Sequence, residues 1–326
     1  MTVTVFDITV SVVKEIKELR ADDGAQVLGV TSFLDEIYIL YGRRTDQIDV
    51  YSNTDFTFSY HISVPGLSAK GIQDFTSCNV LQMFCFRICR FLFIADSDNR
   101  CLHTIIGGIT SINCWSAIQW SLPDKPYGIA AILGVGIGLR VLVACYSEGS
   151  LKQKLIVLGE DGKRIREINV VLPFINSFSH FRLRAATGMF VVCYRRCCCA
   201  PGETISLVDC GSGKVTHSYG DRWLDWLPFV GSKTPVLREP CHLAVENDGF
   251  VFVADNDQHR LLLLDPTLQF IRFIPTKSRP RWLHIDDNKR RLLVGHDSNT
   301  VTVLQLPSRQ RSYYYGLFTF YEFNAH

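Results

Sequence analysis

The sequence lacks the cysteine spacing that zinc modules need. Its 326 residues include 12 cysteines, but no two of them are separated by only two residues, which is the usual spacing in a structural zinc site. It also has no Asn-x-Ser/Thr acceptor, and residues 1–13 lack the basic start and apolar core of a signal peptide. We therefore expect free thiols in a cytoplasmic protein rather than a disulfide framework.

Long apolar runs and an excess of one charge are missing as well. Residues 130–139 form an apolar run bounded by Lys125 and Arg140, which is far too short to span a bilayer. The 34 basic and 32 acidic residues give a net charge of +2, so no global attraction to DNA or to an anionic membrane is expected. No linker-like or low-complexity segment divides the chain, which predicts one domain.

Common catalytic signatures are absent too. The sequence has no Gly-x-Ser-x-Gly elbow, no phosphate-binding glycine loop and no His-Glu-x-x-His motif. These absences favour a protein that is not an enzyme and that needs no cofactor.

What the chain does contain is most distinct between residues 241 and 274. Four short apolar runs occupy His242–Val245, Phe250–Ala254, Leu261–Leu264 and Phe270–Ile274. Polar turns rich in Asn, Asp, Gly and Pro separate them. Runs of four to five β-forming residues broken by such turns are typical of a four-stranded antiparallel meander.

This strand order, with Ala-Asp at the end of the second strand and His259-Arg260 shortly after it, resembles the NHL repeat. An NHL repeat is one blade of a β-propeller, and such propellers form the C-terminal part of tripartite-motif proteins. The motif Asp is present at Asp96 and Asp255. The resemblance implies an all-β, six-bladed ring. RING, B-box and coiled-coil segments are not found, so ubiquitin-ligase chemistry is not expected.

The repeat pattern extends along the chain. The residue after the second strand recurs 41 to 61 residues apart, at six positions. These positions are Tyr41, Asp96, Cys145, Tyr194, Asp255 and His296. The sixth unit ends after three strands at Leu306, and Ser11–Leu19 is predicted to supply the missing outer strand and to close the ring. Residues 1–308 are thus expected to form one propeller, and residues 309–326 an aromatic C-terminal tail.

With no catalytic motif, the loop face of the ring is predicted to be a binding and scaffold surface for a protein or peptide. Tryptophan and arginine are enriched at the energetic centres of interfaces, and the enlarged connection at residues 221–238 carries all three of the candidate aromatics. The propeller itself is expected to be monomeric. The candidate binding residues are Arg43, Arg44, Arg195, Arg196, Trp223, Trp226, Phe229, Arg260, Arg279 and Arg281.

Two alternatives stay open from the residues. Single-stranded RNA could bind the same face through phosphate contacts and base stacking, although acidic residues in the same loops nearly cancel the basic charge. In a propeller the innermost strands line a central channel. A metal-dependent lyase or hydrolase could use the channel histidines His180 and His242, which fall on predicted innermost strands. A third metal ligand is not evident, so no metal site is assigned.

Overall fold

Twenty-four β-strands make up almost all regular structure in the described part of this computed structural model. The structure describes residues 14–20, 25–42, 46–68, 70–82, 87–108, 115–134, 138–146, 153–170, 175–184, 189–196, 203–209, 211–220 and 237–307. A single 3₁₀ turn, Asn256–Gln258, accompanies the strands. None of the described helical segments is long and apolar enough to cross a membrane.

The strands form six four-stranded antiparallel sheets, which are the blades of a propeller. The first blade contains β2 (Val27–Phe33), β3 (Glu36–Tyr41), β4 (Gln47–Ser52) and β5 (Phe58–Ser63). The second contains β6 (Ile72–Gln82), β7 (Arg87–Asp96), β8 (Cys101–Gly108) and β9 (Trp115–Ser121). The third contains β10 (Lys125–Gly134), β11 (Gly138–Tyr146), β12 (Gln153–Leu158) and β13 (Arg164–Asn169).

The other three blades follow the same order. The fourth contains β14 (Ile175–Arg184), β15 (Met189–Arg196), β16 (Glu203–Asp209) and β17 (Val215–Tyr219). The fifth contains β18 (Pro240–Val245), β19 (Val251–Asp255), β20 (Arg260–Leu264) and β21 (Phe270–Pro275). The sixth contains β22 (Pro280–Asp286), β23 (Arg291–His296), β24 (Thr300–Gln305) and β1 (Lys14–Arg20).

The first strand of the chain closes the ring, as the sequence predicts. Strand β1 pairs with β24 in a register that runs from Lys14 opposite Gln305 to Arg20 opposite Thr300. Leu19 on this strand is buried in the cluster between the last and first blades. Because the two ends of the chain share one blade, β24 gains a partner and the ring has no open seam.

The core lies between the blades. Six hydrophobic clusters are present among the described residues, and each joins two neighbouring blades around the ring. The second and third strands of a blade are buried on both faces: all five residues of β19 and four of the five residues of β20 are buried. Their near-continuous Val, Leu and Phe runs reflect this two-sided burial, whereas outer strands such as β9 are mostly exposed.

In the second and fifth blades, a buried aspartate at the end of the second strand forms hydrogen bonds with the segment that enters the blade. In the fifth blade, Oδ1 of Asp255 accepts the backbone N–H groups of Arg238 and Glu239, at 3.0 and 3.1 Å. In the second blade, Oδ2 of Asp96 accepts the N–H of Ser68 at 3.0 Å. Each carboxylate therefore satisfies backbone donors that the strands leave without a partner.

Gly71 gives the first testable prediction, because the chain passes very close to Asp96 there. A Cβ atom at Gly71 would lie 2.2 Å from Oδ1 of Asp96 and 2.9 Å from the backbone nitrogen of Asp98. We expect Gly71→Ala to lower the free energy of unfolding by about 1–3 kcal/mol, since the backbone must shift. Gly42→Ala is the control, because its nearest neighbour would lie at 3.5 Å. Equal denaturation midpoints for the two variants would contradict the close approach.

Candidate functional site

A polar cavity of about 680 Å³ opens at the end of the ring where the innermost strands begin. Strands β2, β6, β10, β14, β18 and β22 are the innermost strands, since each contacts the next around the ring. Leu28, Ile72, Cys241 and Trp282, near the starts of four of these strands, line the cavity. The volume falls within the range of about 300–1,000 Å³ that is usual for small-molecule sites.

The lining carries both signs of charge. Three acidic and three basic side chains contribute to it, and they come from the second, fourth, fifth and sixth blades and the segments that enter them. These six residues are Lys70, Glu203, Glu239, Arg279, Arg281 and Asp297. The charges balance, so the cavity is not an uncompensated basic patch of the kind that a strong RNA-binding surface requires.

Arg281 forms an ion pair at the edge of the cavity. Its Nη1 donates to Oδ1 of Asp297 at 2.9 Å, and Nε2 of Gln26 donates to the same oxygen at 2.6 Å. The Arg281 side chain is 45% exposed, and a guanidinium carries five N–H donors. Asp297 therefore orients one side of the guanidinium while other donors can face a ligand in the cavity.

Glu203 is the least exposed of the lining carboxylates. It begins β16, and its exposed fraction is 8%. The described lining of the cavity has two other carboxylates. Asp297 accepts hydrogen bonds from Arg281 and Gln26, and Glu239 lies in the segment whose backbone donates to Asp255. Glu203 is thus the carboxylate most removed from bulk water that still borders the cavity.

Trp282 and Cys241 form part of the inner lining. The indole Nε1 of Trp282 donates to the carbonyl of Val27 at 3.0 Å, which joins the sixth blade to the first. The Sγ atom of Cys241 lies 3.3 to 3.7 Å from three carbonyl oxygens, those of Ala254, Pro280 and Arg281. A thiolate would meet three partial negative charges here, so the sulfur is suited to a neutral thiol.

Cys241 gives a second prediction. Burial raises the pKa of its thiol to about 12, so at pH 8 the thiolate fraction is roughly a thousandfold below that of an unperturbed cysteine. We expect Cys241 to react with iodoacetamide about a thousand times more slowly than free cysteine at pH 8. Peptide mass spectrometry over time checks this rate. Labelling as fast as free cysteine would identify an activated thiol and contradict this account.

An aspartate and a histidine from opposite blades meet across the channel. Asp74 on the second blade and His242 on the fifth blade are buried, and Nε2 of His242 lies 3.6 Å from Oδ1 of Asp74. Oδ2 of Asp74 accepts the N–H of Ile129 at 2.7 Å, and Nδ1 of His242 accepts the N–H of Leu283 at 3.2 Å. These contacts connect the second, third, fifth and sixth blades, so the Asp74–His242 pair stabilises the packing of the innermost strands around the channel.

This arrangement bears on the metal alternative for His242. Because Nδ1 accepts a backbone N–H, the proton of the neutral ring sits on Nε2 and faces Asp74. Neither nitrogen then offers a lone pair to a metal ion. For His180 the structure describes the backbone alone, which lies on β14 opposite Cys193. The His242 side chain therefore gives no basis for a metal centre.

The sequence-predicted binding residues fall into four groups. Arg279 and Arg281 line the cavity. Arg260 is engaged within its blade, where Nε donates to Oδ2 of Asp255 at 3.0 Å and the guanidinium lies 3.8 Å from the centre of the Phe273 ring. Arg195 and Arg196 are described as backbone of β15. The remaining candidates, Arg43, Arg44, Trp223, Trp226 and Phe229, lie outside the described residues.

Comparison with known proteins shows similarity in structure but not in sequence. No family profile matches the sequence, and no curated protein is similar to it. The structure resembles virginiamycin B lyase from Staphylococcus aureus, solved with quinupristin as a catalytically inactive histidine-to-alanine variant, at 12% identity and a TM-score of 0.54 over 89% of this chain and 99% of that one. A streptogramin B lyase is similar at 10% identity and a TM-score of 0.55, over 89% and 97% of the two chains.

At sequence identities this low, the structural similarity shows only that the fold, a six-bladed propeller, is shared. The comparison nevertheless overturns the expectation of a non-catalytic binding and scaffold module, because the similar propellers are lyases, which are enzymes. The physical reason for the error is that propeller sites are assembled from single residues on separate blades. A search for contiguous catalytic motifs does not detect such sites. Neither the family profiles nor the curated proteins gave an NHL or tripartite-motif relative.

Proposed function

We propose that this chain is a lyase that holds its substrate in the cavity at the start of the innermost strands. The observation that carries the proposal is the cavity itself, which is polar, of small-molecule size, and lined by acidic and basic groups. Its position at one end of a six-bladed ring, in a fold shared with streptogramin B lyases, supports the choice of reaction class. One chain supplies the whole described lining, so we expect the monomer to be active.

A lyase must remove a proton and stabilise the negative charge that develops as a bond breaks. A carboxylate shielded from water can act as the base, and we assign this role to Glu203 because of its burial at the cavity wall. A fixed cation can stabilise developing oxyanion charge, and we assign this role to Arg281, which Asp297 orients. Lys70 and Arg279 would contribute to substrate binding.

A compound of the kind bound by the similar enzyme is the first test substrate. We expect the purified chain to convert quinupristin or a related compound of similar size, and liquid chromatography with mass detection follows the conversion. Arg281→Ala should lower kcat/KM by about 10²–10³-fold, which is the usual cost of removing one oxyanion donor. Arg164→Ala is the matched control, since that side chain is 60% exposed and lies outside the cavity lining.

Two outcomes would count against the proposal. One is equal kinetics for the Arg281→Ala and Arg164→Ala variants, which would place the chemistry elsewhere on the protein. The other is a panel in which no compound is converted and none raises the melting temperature, which would leave the cavity without a ligand of this class.

We also propose an NHL-type origin for the repeat and a cytoplasmic location. The equivalent use of Asp96 and Asp255 to bind incoming backbone N–H groups supports the former. The latter is supported by the free thiols of Cys101, Cys145 and Cys241 among the described residues, because free thiols are typical of a reducing compartment.

A further inference from the structure

Away from the cavity, one group of three metal-ligating side chains occurs among the described residues. It consists of Asp96 at the end of β7, with Cys101 and His103 on β8. Their ligand atoms all lie within 4.8 Å of one another, and the three residues are 0%, 1% and 3% exposed. None of them lines the cavity described above.

The fifth blade shows what is unusual about this group. Asp96 pairs with Cys101 across the β7–β8 turn in the same register in which Asp255 pairs with Arg260 across the β19–β20 turn. Two residues further on, His103 occupies the position of Leu262. In the fifth blade the guanidinium of Arg260 neutralises the buried carboxylate at 3.0 Å. In the second blade the position equivalent to Arg260 holds the thiol of Cys101, and the imidazole of His103 lies beside the carboxylate of Asp96.

A buried carboxylate is costly unless a positive charge compensates it. With a neutral thiol and a neutral imidazole, the second-blade group carries a net charge of −1. A divalent ion bound to the carboxylate, a thiolate and a neutral imidazole would bring the net charge to zero.

The distances and the surrounding donors suit such an ion. Nε2 of His103 lies 3.2 Å from Oδ2 of Asp96, close to the separation of about 3.3 Å between two ligand atoms of tetrahedral zinc with bonds of about 2.0 Å. Nε2 of Gln119 donates to Sγ of Cys101 at 3.0 Å, and the N–H of Asn99 donates to Oδ1 of Asp96 at 3.1 Å. Such outer hydrogen bonds orient and charge-balance metal ligands.

We propose that Asp96, Cys101 and His103 bind one Zn²⁺ ion at the junction of the first and second blades. A set of sulfur, nitrogen and oxygen ligands favours zinc over magnesium or calcium. Binding releases one proton, from Sγ of Cys101, to solvent, while the imidazole of His103 stays neutral, with Nε2 bound to the ion and its single proton on Nδ1. The ion would do in the second blade what Arg260 does in the fifth, which is a structural role.

The test uses the intact chain produced in zinc-containing medium. We expect one zinc ion per chain by elemental mass spectrometry, and a lower melting temperature after a chelator removes it. Cobalt substitution should give thiolate-to-metal absorption in the near ultraviolet. Cys101→Ser and His103→Asn should weaken zinc binding by more than about 100-fold, whereas Cys145→Ser, another buried cysteine, should leave it unchanged.

Cys101→Arg is the second variant, because it rebuilds the arrangement of the fifth blade. It should bind no zinc at this site, yet melt no lower than the zinc-free wild-type chain. The proposal is overturned if the wild-type chain holds no zinc and does not respond to the chelator. It is equally overturned if Cys101→Ser and Cys101→Arg both retain zinc. Detection of a charged His103 imidazole by NMR in the zinc-loaded sample would show that a proton, rather than a metal ion, balances Asp96.

Discussion

Replacing Asp255 by Ala is expected to lower the free energy of unfolding by about 3–5 kcal/mol, the usual cost of removing one partner of a buried, hydrogen-bonded charge pair. The carboxylate is 0% exposed and accepts from Arg238, Glu239 and Arg260 at 3.0 to 3.1 Å. Its loss leaves two backbone donors and a guanidinium without their acceptor. The segment that enters the fifth blade then loses its attachment to β19.

Asp257→Ala provides the matched control for this experiment. Asp257 lies two residues further along, and its side chain is 50% exposed and pairs loosely with Arg279 at 3.7 Å. We expect its removal to change the free energy of unfolding by less than about 0.5 kcal/mol. Chemical denaturation with equal slopes for all variants gives the comparison. A loss below about 1 kcal/mol for Asp255→Ala would show that the carboxylate does not anchor the blade.

Glu203→Gln is expected to lower kcat by about 10²–10⁴-fold with little change in KM, because the amide keeps the shape of the side chain but cannot accept a proton. The measurement is steady-state conversion of the substrate identified in the first assay. The free energy of unfolding is measured on the same samples, since Glu203 is nearly buried and a loss of folding would also remove activity.

Glu239→Gln distinguishes the two carboxylates on this side of the cavity. Glu239 lines the same space, so a general electrostatic effect of removing one negative charge should appear equally in both variants. We expect a change of less than about 10-fold for Glu239→Gln. A large loss of activity for Glu239→Gln, with normal rates for Glu203→Gln, would show that the base is Glu239 and that the assignment to Glu203 is wrong.

The fold could be predicted because its signals are local in sequence. The run Phe250–Ala254 followed by Asp255 shows β19 and the anchor at its end, and Phe91–Ala95 followed by Asp96 repeats both. Closure by the N-terminal strand follows from counting only three strands in the sixth unit, β22 to β24, and asking which segment supplies the fourth. The predicted segment, residues 11–19, overlaps the observed β1, Lys14–Arg20.

The site could not be predicted in the same way, because its residues meet only through the ring. Gln26 and Asp297 are 271 positions apart and share a hydrogen bond, and Asp74 and His242 meet across the channel from opposite blades. In the sequence, Glu203 and Asp297 fall in predicted loops that also carry basic residues, so their charges are expected to cancel those of the neighbouring arginines. Their shared border on one cavity depends on strand twist and blade order, which the spacing of residues does not encode.

Arg260 shows the opposite error. In the sequence it is a basic residue in a loop after the second strand, which favours a surface role. In the fold its guanidinium lies between Asp255 and the ring of Phe273. The charge is used to compensate a buried carboxylate, and a long side chain that folds back onto its own blade cannot be distinguished from an exposed one by sequence pattern.

The central claim, that the cavity is the active site of a lyase, is tested most directly by the mass balance of the reaction. Elimination breaks a bond without adding water, so the products together have the mass of the substrate, whereas hydrolysis adds one water molecule. We expect the wild-type chain to give products without added water, and Glu203→Gln to give none above background. Products that carry the mass of water or its heavy-oxygen label, or equal yields from both proteins, would contradict this account.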